Sequence, residues 1–523
     1  MLSQYLETNT LQLIRLLTTL LDCQNISFSQ LTKVTSLKSK TCRHLLGQLT
    51  KRLDGMVCIE INEQSQISCS LKERVSKNQC LHLIYRDSMV LSCLKFLIFN
   101  QEHQPFTVFS KNHFLSTASA YRVREKCRHF LKSVHLSIRA NQVCGEEFRI
   151  RYLIALLQCQ YGVSCYPIEE DDLDRITEFM TNSNPNIAKN FLSLMEDEFA
   201  FCHFLMMLTW KRQAFRPYLP YSAQFDHIKP LFIYPKIIHF SKEYLETSLP
   251  FSFDQLDYDY LFLVYCTNTN FFCGHLWNEK EREKVCQLVA TKTDIAYLIP
   301  SFKAFLGSNL STSLPFLEAM MTLFRKCLFN LQSLIPEEDD LEAFRHSPHS
   351  LLYHETEAII KKWMIDRDDR GDIAPKHLSL LTHQIAYLIE AEMTPLSIII
   401  CATNQAHLHV TQSWLQKALP KAPIQLHTLN LIRQEMTPCH QKNPLLILAD
   451  QKHLPYLKAC YSSKEHRFLT FSFEHRDYYL PFIQSAIQEH VKKHYANHIK
   501  QLIPSDYTAL ELPTHNDVIL DKR

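Results

Sequence analysis

Basic and hydroxyl side chains crowd into one short stretch of this 523-residue chain. Residues 115–134 read LSTASAYRVREKCRHFLKSV, in which Tyr121 and four Arg or Lys residues occupy five of the eight positions 121–128, after a run rich in Ser and Thr. Arginine pairs with the edges of guanine bases, and Lys, Ser and Thr side chains hold phosphates. The chemistry that these residue types offer is therefore hydrogen bonding to a polyanion such as nucleic acid.

Such residues read a base sequence only if a helix presents them on one face. A helix that begins near Ser116 or Thr117 brings the apolar residues onto one stripe at 3.6-residue spacing. The stripe consists of Ala120, Val123, Cys127, Phe130, Leu131 and Val134. The opposite face carries Ser119, Tyr121, Arg122, Arg124, Lys126 and Arg128. This pattern predicts the recognition helix of a DNA-binding unit, and an ordinary surface helix is the alternative.

The elements around this helix occur twice. Helical patterns at 88–100 and 105–114 precede it, and the hairpin pattern LSIRANQVCGEE follows it. About 75 residues earlier, a short helix with Leu31 and Val34 inward precedes a second helix capped by Ser39, and the strands VCIEI and ISCSL form a wing. The second helix has Leu45, Leu46, Leu49 and Leu53 inward, and its equivalent DNA-facing residues are Ser39, Lys40, Thr41, Arg43 and His44. The sequence predicts two tandem winged helix-turn-helix units.

Positive charge is concentrated in this N-terminal part. The whole chain has a formal net charge of only +2, but residues 1–145 carry 19 Lys and Arg against 9 Asp and Glu, a balance of +10. The remaining residues carry 37 against 45, a balance of −8. This asymmetry is typical of a nucleic-acid-binding module attached to a larger body, and a solvated basic face is the alternative.

The composition excludes several function classes. Only 7 glycines occur, which excludes glycine-rich phosphate loops and dinucleotide-binding fingerprints. The 18 cysteines are scattered without a CxxC pair, which predicts reduced thiols. The N-terminus lacks the basic start of a signal peptide, and no apolar run approaches the ~18 residues of a membrane span. We therefore expect a folded, cytoplasmic protein that contacts no membrane.

The hydrophobic pattern changes twice in the rest of the chain. Helical patterns dominate from Phe148 to about Glu392, and a boundary near 273–283 divides them into two bundles, the second with a polar loop at 335–350. From Pro395 the strands LSIIICA, IQLHTL, PLLILAD and RFLTFSF alternate with helical or polar connections, which predicts a small α/β domain. The predicted fold class is therefore mainly α and multidomain.

The chain resembles a known family, the RofA/Nra-like stand-alone virulence regulators of streptococci, within the wider group that includes Mga and AtxA. The residues that carry the resemblance are FSKNHFLSTASAYRVRE at 109–125, CGEEFRIRYLIALLQCQYGV at 144–163, LTWKRQAF at 208–215 and FNLQSLIPE at 329–337. The resemblance spans nearly the full length. It implies winged helix-turn-helix domains at 1–75 and 76–147, phosphotransferase-regulation-domain-like (PRD-like) helical domains at 148–275 and 276–392, an EIIB-like α/β domain at 393–500 and a tail at 501–523.

By this resemblance, the protein binds double-stranded promoter DNA and controls virulence, adhesin and pilus genes. The resemblance also implies a homodimer or higher homo-oligomer, formed through the EIIB-like domain, and regulation by phosphocarrier proteins of the phosphotransferase system. The alternative is a phosphotransfer sensor or an RNA-binding antiterminator of related domain composition. Paired helix-turn-helix units favour the DNA-binding regulator, because such antiterminators bind RNA through a small β module.

The resemblance also suggests positions for phosphorylation. EIIB components carry the phosphorylated cysteine at the end of the first strand, where this chain has Cys401, although CATNQAH lacks the glycine-containing loop that cradles a phosphate. A buried structural cysteine is the alternative. The candidate phosphorylated histidines are His203, His227, His239, His275 and His383. Gln213 stands where RofA-type sequences place a histidine after WKR, and an ordinary packed or surface histidine is the alternative for each candidate.

Other chemical patterns are incomplete. Cys266, Cys273 and His275 form a C-x6-C-x-H run, and His407 and His409 form HxH, but neither run is followed by the second ligand pair of a structural zinc site. No GxSxG nucleophile motif occurs. We therefore expect no metal, no cofactor and no enzymatic activity.

Overall fold

A computed structural model describes most of the chain. The described residues are 2–62, 65–100, 102–183, 196–230, 233–267, 279–336, 350–366, 373, 375–392, 395–419, 424–433, 435–436, 445–461 and 466–502. The structure is mainly helical, with 69% helix and a few small sheets. The described residues form two compact units, one drawn from 1–297, 320–339 and 364–377 and the other from 298–319, 340–363 and 378–523. These observations confirm a mainly α, multidomain chain, whereas the domain boundaries given above stay predictions.

The first winged unit combines three helices with a small sheet. Its elements are α1 (Thr8–Cys23), β1 (Asn25–Ser27), α2 (Phe28–Thr35), α3 (Ser39–Arg52), β2 (Val57–Ile61) and β3 (Gln66–Leu71). The strands pair antiparallel in the order β1-β3-β2. Ser27 and Gln30 form a capping box that fixes the start of α2. Leucines at helical spacing on the three helices, such as Leu13, Leu31 and Leu45, are fully buried and give the unit one core.

Two details of this unit differ from the sequence prediction. Val34 is 53% exposed, because Leu31 and Thr35, four residues apart on α2, take the buried side. Ser39 does not cap α3; it is the first helical residue, and Lys38 occupies the capping position with extended backbone and no side-chain cap hydrogen bond. The four predicted inward leucines of α3 and its C-terminal flank are buried, namely Leu45, Leu46, Leu49 and Leu53.

The second winged unit has a similar succession of elements after an additional helix, but its described residues contain no strand corresponding to β1. It comprises α4 (Lys77–Tyr85), α5 (Met89–Phe99), α6 (Phe106–Asn112), α7 (Thr117–Ser133), β4 (Ser137–Arg139) and β5 (Gln142–Cys144). The hydroxyl of Ser88 caps α5, that of Ser116 caps α7, and β4 pairs antiparallel with β5. Five of the six predicted stripe residues of α7 are buried, and the sixth, Val123, is half-buried.

Helices dominate the following part, as predicted. They are α8 (Glu147–Cys159), α9 (Glu170–Ser183), α10 (Glu196–Lys211), α11 (Ala223–Ile228), α12 (Ile233–Phe240), α13 (Gln255–Thr267), α14 (Glu279–Lys292), α15 (Ile295–Leu306), α16 (Ser308–Ser311), α17 (Leu314–Cys327), α18 (Ser350–Asp366) and α19 (Pro375–Glu392). The predicted boundary near 273–283 and the polar loop at 335–350 lie mainly outside the described residues.

A buried ionic network fixes α8 to the segment after α10. The Arg151 guanidinium is fully buried, lies 4.6 Å from the centre of the Tyr260 ring, and donates to the carbonyls of Arg212 and Phe215 at 3.3 and 2.8 Å. The Glu147 carboxylate accepts from Arg151 at 3.2 Å and from Arg212 at 2.6 Å. Because removal of one partner would leave a buried charge uncompensated, this network holds the start of α8 firmly in place.

The C-terminal α/β part contains a five-stranded sheet. Its elements are β6 (Leu396–Ala402), α20 (Gln405–Ala418), β7 (Ile424–Asn430), β8 (Glu435–Met436), β9 (Leu445–Ala449), α21 (Leu454–Cys460), β10 (Arg467–Thr470) and α22 (Arg476–Leu502). The strand order is β10-β9-β6-β7-β8, with β8 antiparallel and the others parallel. Buried apolar clusters cover both faces of β6, and for this reason its residues 398–402 are apolar without alternation.

No helix of the described residues combines the length and the apolar character needed to cross a bilayer.

Candidate nucleic-acid interface

Corresponding positions of the two helix-turn-helix units lie 78 residues apart in the sequence. Residue 36 of the first unit, for example, corresponds to residue 114 of the second. Phe28 begins α2, and Phe106 begins α6. Each turn is closed by a hydrogen bond spanning five residues, from Leu37 N to Thr32 O at 3.2 Å and from Leu115 N to Ser110 O at 2.9 Å. This geometry is that of the Schellman motif, which ends one helix and directs the chain into the next.

The second helix of the later unit, α7, presents most of its predicted polar face to solvent. The Ser116 hydroxyl accepts from Ser119 N at 3.2 Å and thereby caps the helix. The exposed residues are Thr117, Tyr121, Arg122, Lys126 and Arg128, with Ser119 half-buried. They follow one another over about three turns of helix, which is the length that a major groove accommodates.

Arg124 departs from the predicted arrangement. It is half-buried, and its guanidinium carbon lies 5.8 Å from the centre of the Phe106 ring. Its Nε atom is buried and has no hydrogen-bond partner among the described residues. The position corresponds to the buried Leu46 of the first unit, and the aliphatic stem of Arg124 therefore packs where that leucine packs.

Arg128 is paired within its own helix. Its Nη2 lies 2.7 Å from the Glu125 carboxylate, one turn earlier, and its Nε donates to the same group at 2.8 Å. The pair lowers the pKa of Glu125 through the hydrogen bond from Arg128. Because both side chains are about half exposed, the interaction is weak, and Arg128 can exchange this partner for a phosphate.

The first unit presents a smaller set of the same type. Ser39, Lys40, Arg43 and His44 are exposed on α3, and Thr41 is half-buried. The Arg43 guanidinium lies 5.2 Å from the Phe28 ring, and Tyr121 contacts Phe106 at 5.6 Å in the equivalent place. The imidazole of His44 is 3.0 Å from the Gln48 amide. Each helix thus places a planar side chain against the aromatic residue that begins the preceding helix.

One exposed residue of this surface escaped the sequence analysis. Phe114, in the turn between α6 and α7, is 97% exposed and adopts a left-handed backbone conformation with φ of 51°. Its counterpart in the first unit is Ser36, with φ of 56°. Left-handed turn positions are typical of glycine and asparagine, and an aromatic side chain there gives no recognisable pattern.

The predicted phosphorylation sites differ in accessibility. Burial lowers the pKa of His203 to about 4, and burial likewise lowers the pKa of His383. His227 is exposed, with Nδ1 2.8 Å from the Lys292 carbonyl, and the exposed His239 lies 3.3 Å from the Glu243 carboxylate. His275 lies outside the described residues. These histidines are dispersed, and which of them is phosphorylated stays a prediction.

Cys401 lies in β6, one residue before its end, as the strand pattern predicted. Its side chain is buried in an apolar cluster that also contains Leu429 of β7 and Leu457 of α21. Burial raises the pKa of the Cys401 thiol to about 12. The described surroundings fit the alternative of a structural cysteine better than a thiolate that accepts a phosphoryl group, because the thiolate is the nucleophilic form.

Metal binding was considered for the same parts of the chain. Within the described ranges, no three His, Cys, Asp or Glu side chains come together in a group that could hold a metal ion. Cys273 and His275, which the sequence analysis considered, fall outside those ranges.

Comparisons with known proteins point to the second winged unit. A search of the curated proteins returned no match. Residues 73–158 match the family model of the Mga helix-turn-helix domain. The matched residues begin just before α4 and end one residue before the end of α8, and they include α6, α7, β4 and β5. The second winged unit is therefore similar to the Mga helix-turn-helix domain.

Proposed function

We propose that this protein is a DNA-binding transcription regulator of the Mga/AtxA type, which reads promoter DNA through its two winged helix-turn-helix units. The observation that carries the proposal is the exposed polar face of α7 in a segment that matches the Mga helix-turn-helix domain. The repetition of the same turn geometry in the first unit and the +10 charge balance of residues 1–145 support it.

In this proposal, the exposed residues of α7 and α3 make two kinds of contact with DNA. Arg122 and Tyr121, in the second turn of α7, read base edges, while Lys126, Arg128, Lys40 and Arg43 hold phosphates. Ser119 contributes a hydroxyl close to the helix start. The half-buried Arg124 supports the surface from beneath through its packing on Phe106, a smaller role than the base contact suggested by the sequence pattern.

The finer parts of the proposal come from the resemblance to the RofA/Nra-like regulators. In that view the controlled genes encode adhesins, pilus components and other virulence factors. The helical and α/β parts then serve regulation by phosphocarrier proteins and assembly into a homodimer or larger homo-oligomer. Exposed His227 and His239 suit transfer from a phosphocarrier better than the half-buried His203, because the donor must reach the imidazole.

Fluorescence anisotropy with the purified full-length protein tests the central proposal. The probe is a duplex from the region upstream of its own gene, with a scrambled duplex of equal length for comparison, at two salt concentrations. We expect tighter binding to the upstream duplex and weakening of both complexes by salt, because phosphate contacts release counterions.

Matched variants distinguish contacts to base edges from contacts to phosphates. Arg122→Ala should cost about 1–3 kcal/mol on the upstream duplex and little on the scrambled one, whereas Lys126→Ala should weaken both and reduce the salt slope by about one. Lys417→Ala removes one exposed positive charge from the C-terminal α/β part and should leave binding unchanged. Equal, weak binding of both duplexes by the wild type would refute the proposal.

A further inference from the structure

The turn before α7 contains an apolar side chain that the protein core does not use. Phe114 is 97% exposed, the highest exposure among the large hydrophobic residues described. It precedes the capping residue Ser116 by two positions, so the two Cα atoms lie within about 7.6 Å. Arg122 lies six residues beyond the cap, or about 9 Å along the helix axis. Phe114 therefore lies next to the N-terminal end of the helix that carries the exposed basic residues.

The backbone at Phe114 is fixed by its surroundings. Phe114 N donates to Lys111 O at 3.2 Å, and Leu115 N donates to Ser110 O at 2.9 Å. The Ser110 hydroxyl donates in turn to the Leu115 carbonyl at 2.7 Å. These bonds hold Phe114 at a φ of 51°, where a bulky residue is strained and glycine would be relaxed.

The local fold thus gives no reason for phenylalanine at this position. The first unit uses the same turn with Ser36, a small polar residue, at a φ of 56°. A strained residue whose side chain contacts almost nothing in its own chain points to an external contact. The beginning of a recognition helix faces the major groove, where phenylalanine can contact the C5-methyl group of thymine.

We propose that Phe114 is a specificity-determining DNA contact of the second winged unit, which packs its ring against a thymine methyl group in the major groove. This inference rests on the proposed DNA-binding function and adds a residue and a base type to it. It also distinguishes the two units, because Ser36 offers no equivalent apolar contact in the first one.

A double-mutant cycle between protein and DNA tests the contact. Full-length wild type and Phe114→Ala are titrated against the upstream duplex and against duplexes in which single thymines are replaced by uracil, which lacks only the methyl group. Loss of one buried methyl should weaken wild-type binding about fourfold at the contacted thymine. Phe114→Ala should bind the thymine duplex more weakly and should not distinguish it from the uracil duplex.

Phe114→Gly separates the contact from folding. Glycine relieves the left-handed conformation, so the thermal unfolding midpoint should stay equal or rise while DNA affinity falls. Tyr221→Ala removes another highly exposed aromatic side chain from the helical part and should change neither quantity. Lower affinity together with a lower midpoint in Phe114→Gly would contradict a direct contact.

The measurements distinguish failure of the Phe114 contact from failure of the proposed function. If wild type prefers the upstream duplex and Arg122→Ala abolishes this preference, but the Phe114 variants bind like wild type, the proposed function stands and the Phe114 contact is refuted. Uracil substitutions that weaken wild type and Phe114→Ala equally would also refute it. If wild type prefers no duplex, the proposed function and the contact both fail.

Discussion

At the scale of single residues, burial determines which titratable groups can change charge. His203 lies on α10, and burial lowers its pKa to about 4 from the usual value near 6.5. In the unfolded chain this imidazole takes up a proton as the pH falls through 6.5, whereas in the folded chain it stays neutral to about pH 4. The contribution of neutral His203 to the free energy of unfolding is therefore fully present above pH 6.5. It decreases as the pH falls from 6.5 to 4.

We therefore expect the stability of His203→Gln to depend less on pH than that of the wild type. The loss of stability on acidification from pH 7 to 4.5 should be smaller in the variant by about 2 kcal/mol, because the unfolded variant lacks the imidazole that takes up a proton in this range. Denaturant unfolding at both pH values, followed by circular dichroism, measures the difference. An unaltered pH dependence in His203→Gln would contradict the assigned protonation.

At the scale of elements, the N-terminal segment reaches across to the second winged unit. The Glu7 carboxylate accepts hydrogen bonds from the Ser88 hydroxyl at 2.7 Å and from the amides of Met89 and Val90 at 3.0 and 3.3 Å. These groups form the start of α5, where a negative charge also compensates the helix dipole. Tyr5 adds an edge contact to Phe130 of α7 at 5.9 Å. The first residues of the chain therefore stabilise the unit that matches the Mga domain.

We expect Glu7→Gln to destabilise the N-terminal part by about 1–2 kcal/mol, because a charge-assisted cap with several donors is lost. Hydrogen exchange followed by mass spectrometry should reveal faster exchange in α5. The matched control is Lys77→Ala, which removes the exposed ion pair between Lys77 and Asp22 and should cost under about 0.5 kcal/mol. Unchanged exchange in α5 would mean that Glu7 is dispensable for this helix start.

At the scale of the whole molecule, the proposed homodimer needs a surface outside the helices that we propose to contact DNA. The C-terminal helix α22 exposes Tyr478 and Phe482, whose rings are 5.4 Å apart. Neighbouring exposed aromatic residues are common at protein interfaces. They offer a place for the association that the resemblance assigns to the α/β domain.

A mass measurement tests this assembly. Analytical ultracentrifugation of the 61.4 kDa chain should give about twice that mass for the wild type, and Tyr478→Lys combined with Phe482→Lys should give the mass of one chain. Tyr387→Lys, at an exposed tyrosine of α19, is the control and should remain a dimer. A double variant that keeps the dimer mass would place the interface elsewhere, and a wild type with the mass of one chain would refute the homodimer.

The sequence by itself determined which segments become helices and strands, since this depends on the spacing of apolar residues along the chain. The stripe on α7, the leucines of α3 and the apolar run at 398–402 of β6 all follow from that spacing. The same spacing identified most of the exposed side chains of the proposed DNA interface, because a side chain opposite the buried stripe faces solvent. It also predicted the winged hairpins from alternation in residues 57–71 and 136–147.

Only the tertiary structure decided what each side chain contacts. Arg124 lies on the polar side by periodicity, but Phe106 of the neighbouring helix provides a surface that covers it. Val34 is apolar, yet the packing of α2 leaves it in solvent. The capping role of Glu7 depends on hydrogen bonds to the start of α5, about 80 residues along the chain. Local periodicity contains no information on such contacts, because they depend on how separate elements pack together.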